Sequence, residues 1–345
     1  MALKKALKND YPYLIAECAY SFEGDKQYLL RQIKNLENSK IDAIKFHIMM
    51  DQDEYYSRNH PLYKESSKWL LSKKDWKEIL EFGRKSKMDI IVLVDDSEVV
   101  RFLTENNNLV DGVEIHSACI NDVFLLKEQI KFVKEYNKVF IAGISGLELD
   151  EILKLNSFLH KQKVRDVLFM YGFQNYPTKY EDVNLKRIKL LKSITKRKIG
   201  YADHTEYNDE FKKSLITSSF VLGSNIQEIH YVLKEGEKKI DYITAKDVSF
   251  LNNIKEELIK IHTAIRDNDF EMNEGERNYM KIRKSPVFKR DLNAGDIFSE
   301  DDIAFKRVDD KDIELKGIFE YSKLIGKKLC KNVREGEKVE YQFFY

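Results

Sequence analysis

Cysteine is scarce in this chain: Cys18, Cys119 and Cys330 are its three in 345 residues. An odd number leaves one unpaired under any intramolecular scheme, and spacings this wide make neither a zinc knuckle nor a redox pair, so reduced thiols are expected. An excess of charge of one sign is also lacking, with 59 lysines and arginines against 58 aspartates and glutamates. That balance removes the electrostatic footprint of a nucleic-acid or anionic-membrane binder, and local runs such as Lys196–Lys198 read as solvated faces. No apolar run is long enough to span a bilayer, and the opening MALKKALKNDYPYLIAEC has no signal-peptide core. A cytoplasmic protein is therefore expected, without membrane or nucleic-acid partner. A glycine-rich dinucleotide fingerprint is missing after the first strand-like run.

What is present is alternation. Short β-rich runs occur at Tyr13–Glu17, Ala43–Ile48, Asp89–Val94, Gly112–Ser117, Val139–Gly143, Asp166–Tyr171, Ile199–Asp203 and Asn225–Val232. Segments with helical periodicity separate them, among them Gln27–Leu36, Trp76–Phe82, Val123–Val133, Leu147–Phe158, Asn184–Ile194 and Phe211–Val221. Eight strands alternating with helices predict parallel β/α units, and eight is the count that closes a (β/α)8 TIM barrel. An open doubly wound sheet stays possible. In a barrel, the C-terminal ends of the strands converge on one mouth. That places Glu17, Lys45, His47, Ser117, Cys119, Gln174, Asp203, His204, Glu228 and His230 together, residue types suited to metal, carboxylate or phosphate binding.

Past Ala245 the character changes. A helix-like segment, Phe250–Ile261, leads into the polar stretch AIRDNDFEMNEGER (264–277), and a β-like tail follows. The tail carries two similar turn-and-strand phrases, DLNAGDIFSEDD (291–302) and NVREGEKVEY (332–341), too few for a solenoid. The expected organisation is an α/β barrel over 1–262, a linker over 263–281 and a small, mostly-β module over 282–345.

Several phrases resemble those of the sialic acid synthase family: YLIAE (13–17), AIKFH (43–47), YPTKYEDVNL (176–185), GYADHT (200–205) and IQEIHYVL (226–233). The tail from 284 onward resembles that family's C-terminal antifreeze-like (SAF) domain. The resemblance spans nearly the whole chain in the right order. It implies a TIM barrel with an SAF cap, joining phosphoenolpyruvate to the open-chain aldehyde of an N-acetylated amino sugar, with release of phosphate and a sialic-type nonulosonic acid. It also implies a divalent metal, commonly Mn2+ with Mg2+, Co2+ or Zn2+ as alternatives, and a homodimer in which the SAF domain caps the partner's barrel. Carried over, His204 and His230 are metal ligands, a role neutral imidazole suits. Glu17, Glu228 and Asp241 are the acidic residues around sugar and metal, and Asp203 adjoins the first ligand. Lys45 and Ser117 face the phosphate, Tyr176 shapes the sugar pocket and Arg307 reaches a neighbouring site.

The sequence departs from the family's pattern on the phosphate side. In GVEIHSACIND (112–122), Glu114 stands where the family has a phosphate-binding lysine, Cys119 where it has a catalytic-region glutamate, and His116 at a glycine-like position. Lysine to glutamate reverses a charge at a phosphate, and a thiol in place of a carboxylate removes an anion able to take part in proton transfer. His47 and Gln174 replace glutamine and asparagine, while Ala142 and Ala202 replace hydroxyl side chains. Three readings stay open: a synthase with a displaced phosphate site using His47 or His116, a barrel enzyme with altered carbon–carbon chemistry, and a non-catalytic sugar-binding or partner protein.

Overall fold

Runs of β-branched and aromatic residues, buried on both faces, alternate with capped amphipathic helices, and the first unit closes on itself. The computed structural model describes residues 2–265, 270–308, 315 and 317–345. Two compact units divide it, Met1–Arg266 and Asp267–Tyr345. In the first, eight parallel strands form a closed barrel in chain order: β1 (Tyr13–Glu17), β2 (Ala43–Ile48), β3 (Asp89–Val94), β4 (Gly112–Ile115), β5 (Val139–Gly143), β6 (Val167–Tyr171), β7 (Lys198–Asp203) and β8 (Ile226–His230). Pairing of β1 with β8 closes the ring and sets Glu17 opposite His230. The closed ring rules out the open sheet.

Helix starts follow local chemistry. Asp25 caps Lys26–Leu36 by accepting from the Gln27 amide, and Ser72 caps Lys73–Arg84 by accepting from the Asp75 amide. The buried stripes Tyr28, Leu29, Gln32, Ile33 and Trp76, Ile79, Leu80, Gly83 recur at helical spacing and pack these helices onto the strands. A further helix, Ser97–Glu105, was not singled out from sequence; Asp96 caps it through the Val99 amide. The expected strand Gly112–Ser117 stops at Ile115, because the His116 ring accepts from the Ala118 amide and turns the chain into a single 3₁₀ turn, Ser117–Cys119.

Inside the barrel, alternate residues of the strands build an apolar plug from Tyr13, Ile15, Ala43, Ile91, Ile141, Leu168 and Met170. A short helix, Ala2–Ala6, closes the floor. Leu3 is fully buried there, its amide donating to Asp89 Oδ2 at 2.5 Å, and the Asn225 side chain donates to the Ala6 carbonyl at 2.9 Å. With floor and middle filled, the end left open among the described residues is the one where the polar strand ends gather. Among the described residues, no helix is long and apolar enough to cross a membrane.

The second unit is a small antiparallel β module. Its β9 (Ser285–Phe288) pairs with β10 (Ile303–Lys306) over a core of Phe288, Phe298, Leu324, Leu329 and Val339. The two turn-and-strand phrases pair with each other: Leu292 and Val333 exchange backbone hydrogen bonds at 3.0 and 2.9 Å. Each phrase turns on a glycine with positive φ, Gly295 at 92° and Gly336 at 80°, a conformation that disfavours other residues. The helix Val248–Ala264 runs into the expected linker, which also holds a short exposed helix, Glu274–Met280; residues 266–269 lie outside the described set.

Candidate active site

The mouth of the barrel is a cavity of about 300 Å³. Its polar centre is a single lysine among three carboxylates. Lys45 Nζ stands 3.2 Å from Glu17, 2.8 Å from Glu114 and 2.7 Å from Glu228, and all four side chains are almost completely buried. The barrel dictates this: β1, β2, β4 and β8 each turn one of these side chains inward, with Glu17 in register with Lys45 on one side and His230 on the other. Burial would favour neutral Lys45, but the three carboxylates raise its pKa above the ordinary lysine value. Burial likewise opposes charge on Glu17, yet Lys45 and His230 hold its carboxyl well below the usual range. Glu228 goes the other way: burial, outweighing Lys45 and reinforced by the two neighbouring carboxylates, holds it well above. Its Oε2 is buried without a hydrogen-bond donor. A proton on that oxygen, shared with Glu17, accounts for both facts.

The two imidazoles stand beside this cage. His204 and His230 have ring centroids 4.7 Å apart, edge to face. His204 Nδ1 lies 3.1 Å from the Ala202 carbonyl, which fixes the proton on Nδ1 and leaves the Nε2 lone pair free. Burial, with His230 adding to it, pushes His204 well below the usual imidazole range, so it is neutral. His230 Nε2 is 3.4 Å from Glu17, and its Nδ1 is 3.2 Å from Thr244 Oγ1. A cation taking the His230 Nε2 lone pair requires the Nδ1–H tautomer, and Thr244 is the acceptor already in place. This pair fits a divalent metal that leaves its other positions to substrate oxygens and water. Among the described residues, no group of three His, Cys, Asp or Glu is set to hold a metal by itself.

Aromatic walls complete the cavity. Tyr176 lies 6.2 and 6.3 Å from the His204 and His230 rings, with Thr244 Oγ1 3.2 Å from its hydroxyl, and Phe173 stacks on it at 6.1 Å. On the opposite side His47 pairs with Asp95 at 2.9 Å, and Tyr20 donates to the same carboxylate at 2.6 Å. Although burial pulls the His47 pKa down, Asp95 raises it above the ordinary value. His116, 5.8 Å from His47 between ring centroids, is lowered to about 4 by burial and by His47.

Of the residues expected at the mouth, Glu17, Lys45, His47, Ser117, Tyr176, His204, Glu228, His230 and Asp241 line the cavity. Three do not. Asp203 is buried behind His204, bound to Lys212 at 2.5 Å and accepting from Thr205 and Tyr201, so it orients the strand end and touches no ligand. Cys119 is not among the lining residues, and its thiol is pushed up to about 12 by burial and nearby carboxylates. Gln174, between Phe173 and Tyr176 in the chain, is not among the lining residues. Arg307 is exposed in the second unit. Sequence reading missed Tyr20, Tyr55, Trp69, Phe173, Ser145 and Thr244, which line or support the cavity from loops. Only the aromatic density of DEYYSRNH (53–60) hints at part of that wall.

A closed barrel with carboxylates and imidazoles gathered at its strand ends has the architecture of the barrel enzymes. More narrowly, the chain belongs to the NeuB family, the sialic acid synthase superfamily, as a divergent member: the family model matches residues 32–269 and the SAF domain model residues 283–341. An uncharacterized protein of Methanocaldococcus jannaschii is 27% identical over 97% of this chain and 94% of its own length. The N,N'-diacetyllegionaminic acid synthase of Campylobacter jejuni is 24% identical over 94% of this chain and 98% of its own. The crystal structure of the N-acetylneuraminic acid synthetase of Leptospira borgpetersenii, 22% identical, superposes with a TM-score of 0.70 over 79% of this chain and 91% of its own.

Proposed function

We propose that the chain joins a three-carbon acid to the open-chain aldehyde of an N-acetylated amino sugar, giving a nonulosonic acid of the sialic type. Family membership supports a condensation of the phosphoenolpyruvate type, in which phosphate is released. The observation that carries the reading is the imidazole pair beside Glu17 under an aromatic wall, an arrangement suited to an aldehyde and a sugar ring's worth of hydroxyls. A divalent cation there, manganese first and magnesium, cobalt or zinc as alternatives, supplies polarisation of the carbonyl. The chain's own residues do the rest. Glu17 and Glu228 hold one proton between them next to the reacting centre, while Tyr176 and Phe173 cover the sugar and exclude water. The same proposal includes a cytoplasmic homodimer in which the SAF domain serves the partner's barrel through Arg307.

A second reading, altered carbon–carbon chemistry on the same sugar, is favoured by one observation, the engagement of Lys45 by three carboxylates. The test is incubation with Mn2+, a panel of N-acetylated amino sugars and several three-carbon acids, with mass detection of a nine-carbon acid. Sugar-dependent product upholds the reading. Absence of product with every three-carbon acid overturns it in favour of a sugar-binding protein.

A further inference from the structure

We infer that His47, held by Asp95, is the base that takes a proton from the water completing the condensation and passes it to the departing phosphate. This rests on the reading above that the cavity runs a condensation of the phosphoenolpyruvate type. Its support is the placement of one ring. Residues two apart on a strand share a face, so His47 follows Lys45 on the inward face of β2, about 6–7 Å nearer the mouth. Strand pairing sets His47 beside Leu93 of β3, and Asp95 comes two residues after Leu93, just past the strand's end. His47 is the one residue of β2 that is not fully buried, and it lines the cavity.

The bonds of that ring leave one nitrogen free. Nε2 stands 2.9 Å from both Asp95 oxygens, and Tyr20 donates to the same carboxylate at 2.6 Å. Tyr20 also lies against the imidazole, with centroids 4.3 Å apart, and Trp69 packs on Tyr20 at 5.1 Å. An acceptor at Nε2 keeps the proton of the neutral ring there and leaves the lone pair on Nδ1. Among the described residues, Nδ1 has no hydrogen-bond partner, and it is not sealed in protein. Other groups in the cavity suit the task less. His116 Nδ1 already accepts from the Ala118 amide, Glu17, Glu114 and Glu228 gather on Lys45, and His204 and His230 are the pair suited to a cation. Asp241 is a carboxylate, ordinarily a weaker base than imidazole.

The methylene carbon of phosphoenolpyruvate first bonds to the aldehyde carbon, whose oxygen takes the proton shared by Glu17 and Glu228. The carbon bearing the phosphate is then short of electrons. Water adds there through its oxygen and gives one proton to His47 Nδ1. The bond from that carbon to the phosphate oxygen breaks, its electron pair leaves with the phosphate, and the imidazolium passes its proton to that oxygen. The remaining hydroxyl proton returns to the carboxylate pair, leaving a ketone, and His47 ends neutral as it began. Asp95 is a positioning residue: it fixes the tautomer and steadies the imidazolium between the two transfers. Burial pulls the His47 pKa down, but Asp95, with Glu17 and Asp241, lifts it above the ordinary imidazole value. His116, lowered to about 4, adds no charge beside it near neutral pH.

The experiment measures kcat and KM across about pH 5–9 on the full chain with Mn2+, phosphoenolpyruvate and the sugar panel, with calorimetric binding of each substrate alongside. Wild-type kcat should rise with pH through the lifted His47 pKa, because the neutral ring is the base. His47→Gln cannot take a proton, so kcat should fall by about 100-fold or more and the rising limb should vanish. Substrate affinities should stay within about threefold of wild type. Asp95→Asn should lower kcat and move the limb to lower pH. If neither variant folds, nitrogen NMR of wild-type His47 decides: the neutral ring should carry its proton on Nε2, and a proton on Nδ1 overturns the inference. A His47→Gln variant with undiminished kcat, or with the limb unchanged, overturns the inference and leaves the condensation standing. A loss confined to KM makes His47 a binding group and overturns it equally. No product from the wild-type chain with any sugar sinks the condensation reading and the inference with it.

Discussion

Replacing Lys45 by methionine tests whether the lysine is the electrostatic keystone of the mouth or a spare cation awaiting a ligand. The substitution keeps the apolar stem and leaves Glu17, Glu114 and Glu228 buried around nothing positive. Removing one partner of a buried ion pair costs about 3–5 kcal/mol. The shared proton on Glu228 relieves part of the repulsion, so the lower half of that range, ~3–4 kcal/mol, is expected at pH 7.5. For a unit of this size that is a fall in Tm of roughly 6–16 °C. Glu114→Gln should behave differently: it leaves Lys45 with two carboxylates and removes surplus negative charge, so a change within ~1 kcal/mol is expected. Both tryptophans, Trp69 and Trp76, lie in the barrel unit, so their fluorescence in urea reports that unit alone. The sign with pH also follows. Without Lys45 the three carboxyls titrate above their unfolded values, so the deficit is full above that range and shrinks as pH falls into it. Urea midpoints at pH 7.5 and 5.5 should therefore differ less from wild type at the lower pH. A neutral Lys45→Met, a Glu114→Gln equally damaging, or a deficit that grows on acidification would refute the reasoning.

Thr244→Val removes the acceptor that fixes His230 in its metal-ready tautomer, and Mn2+ affinity measured calorimetrically should fall by roughly 10–100-fold with the fold intact by circular dichroism. Thiol labelling in native buffer should consume Cys330 first, because Cys18 and Cys119 are buried with raised pKa values, the latter at about 12; rapid labelling of Cys119 would contradict its placement. The His116 ring proton followed by NMR should titrate near pH 4, leaving the imidazole neutral from pH 6 upward; a midpoint above 6 would mean His47 is not its charged neighbour. Lys212→Met strands the Asp203 carboxylate, which still accepts from Thr205 and Tyr201, so a loss of about 3 kcal/mol is expected by urea unfolding.

The barrel was legible because fully buried strands announce themselves locally. β1, β2, β3 and β5 begin and end where the β-rich runs do, and the others differ by one or two residues at an end. The β4 boundary moved because His116 uses its own ring to bend the chain, a side-chain-to-backbone contact that residue type alone does not declare. Glu114 was visible as a charge reversal, but its partner was not. That Lys45 sits against Glu114, 69 residues away, depends on the ring closing and on which residues turn inward. Asp203 shows the converse: a carboxylate at the right strand end, spoken for by Lys212, nine residues on, which nothing in the sequence singled out. The aromatic side of the cavity comes from loops, whose course no periodicity fixes.

The floor of the barrel has a consequence for the order in which the protein is made. The helix Ala2–Ala6 is made before the barrel whose floor it closes, and the Asn225 amide that ties down its Ala6 carbonyl is encoded 219 residues later. At ordinary rates of synthesis that is a wait of roughly 10–40 s. For that time Leu3 has no finished berth, and a turn made ahead of every strand is seated only once the last strand has been reached.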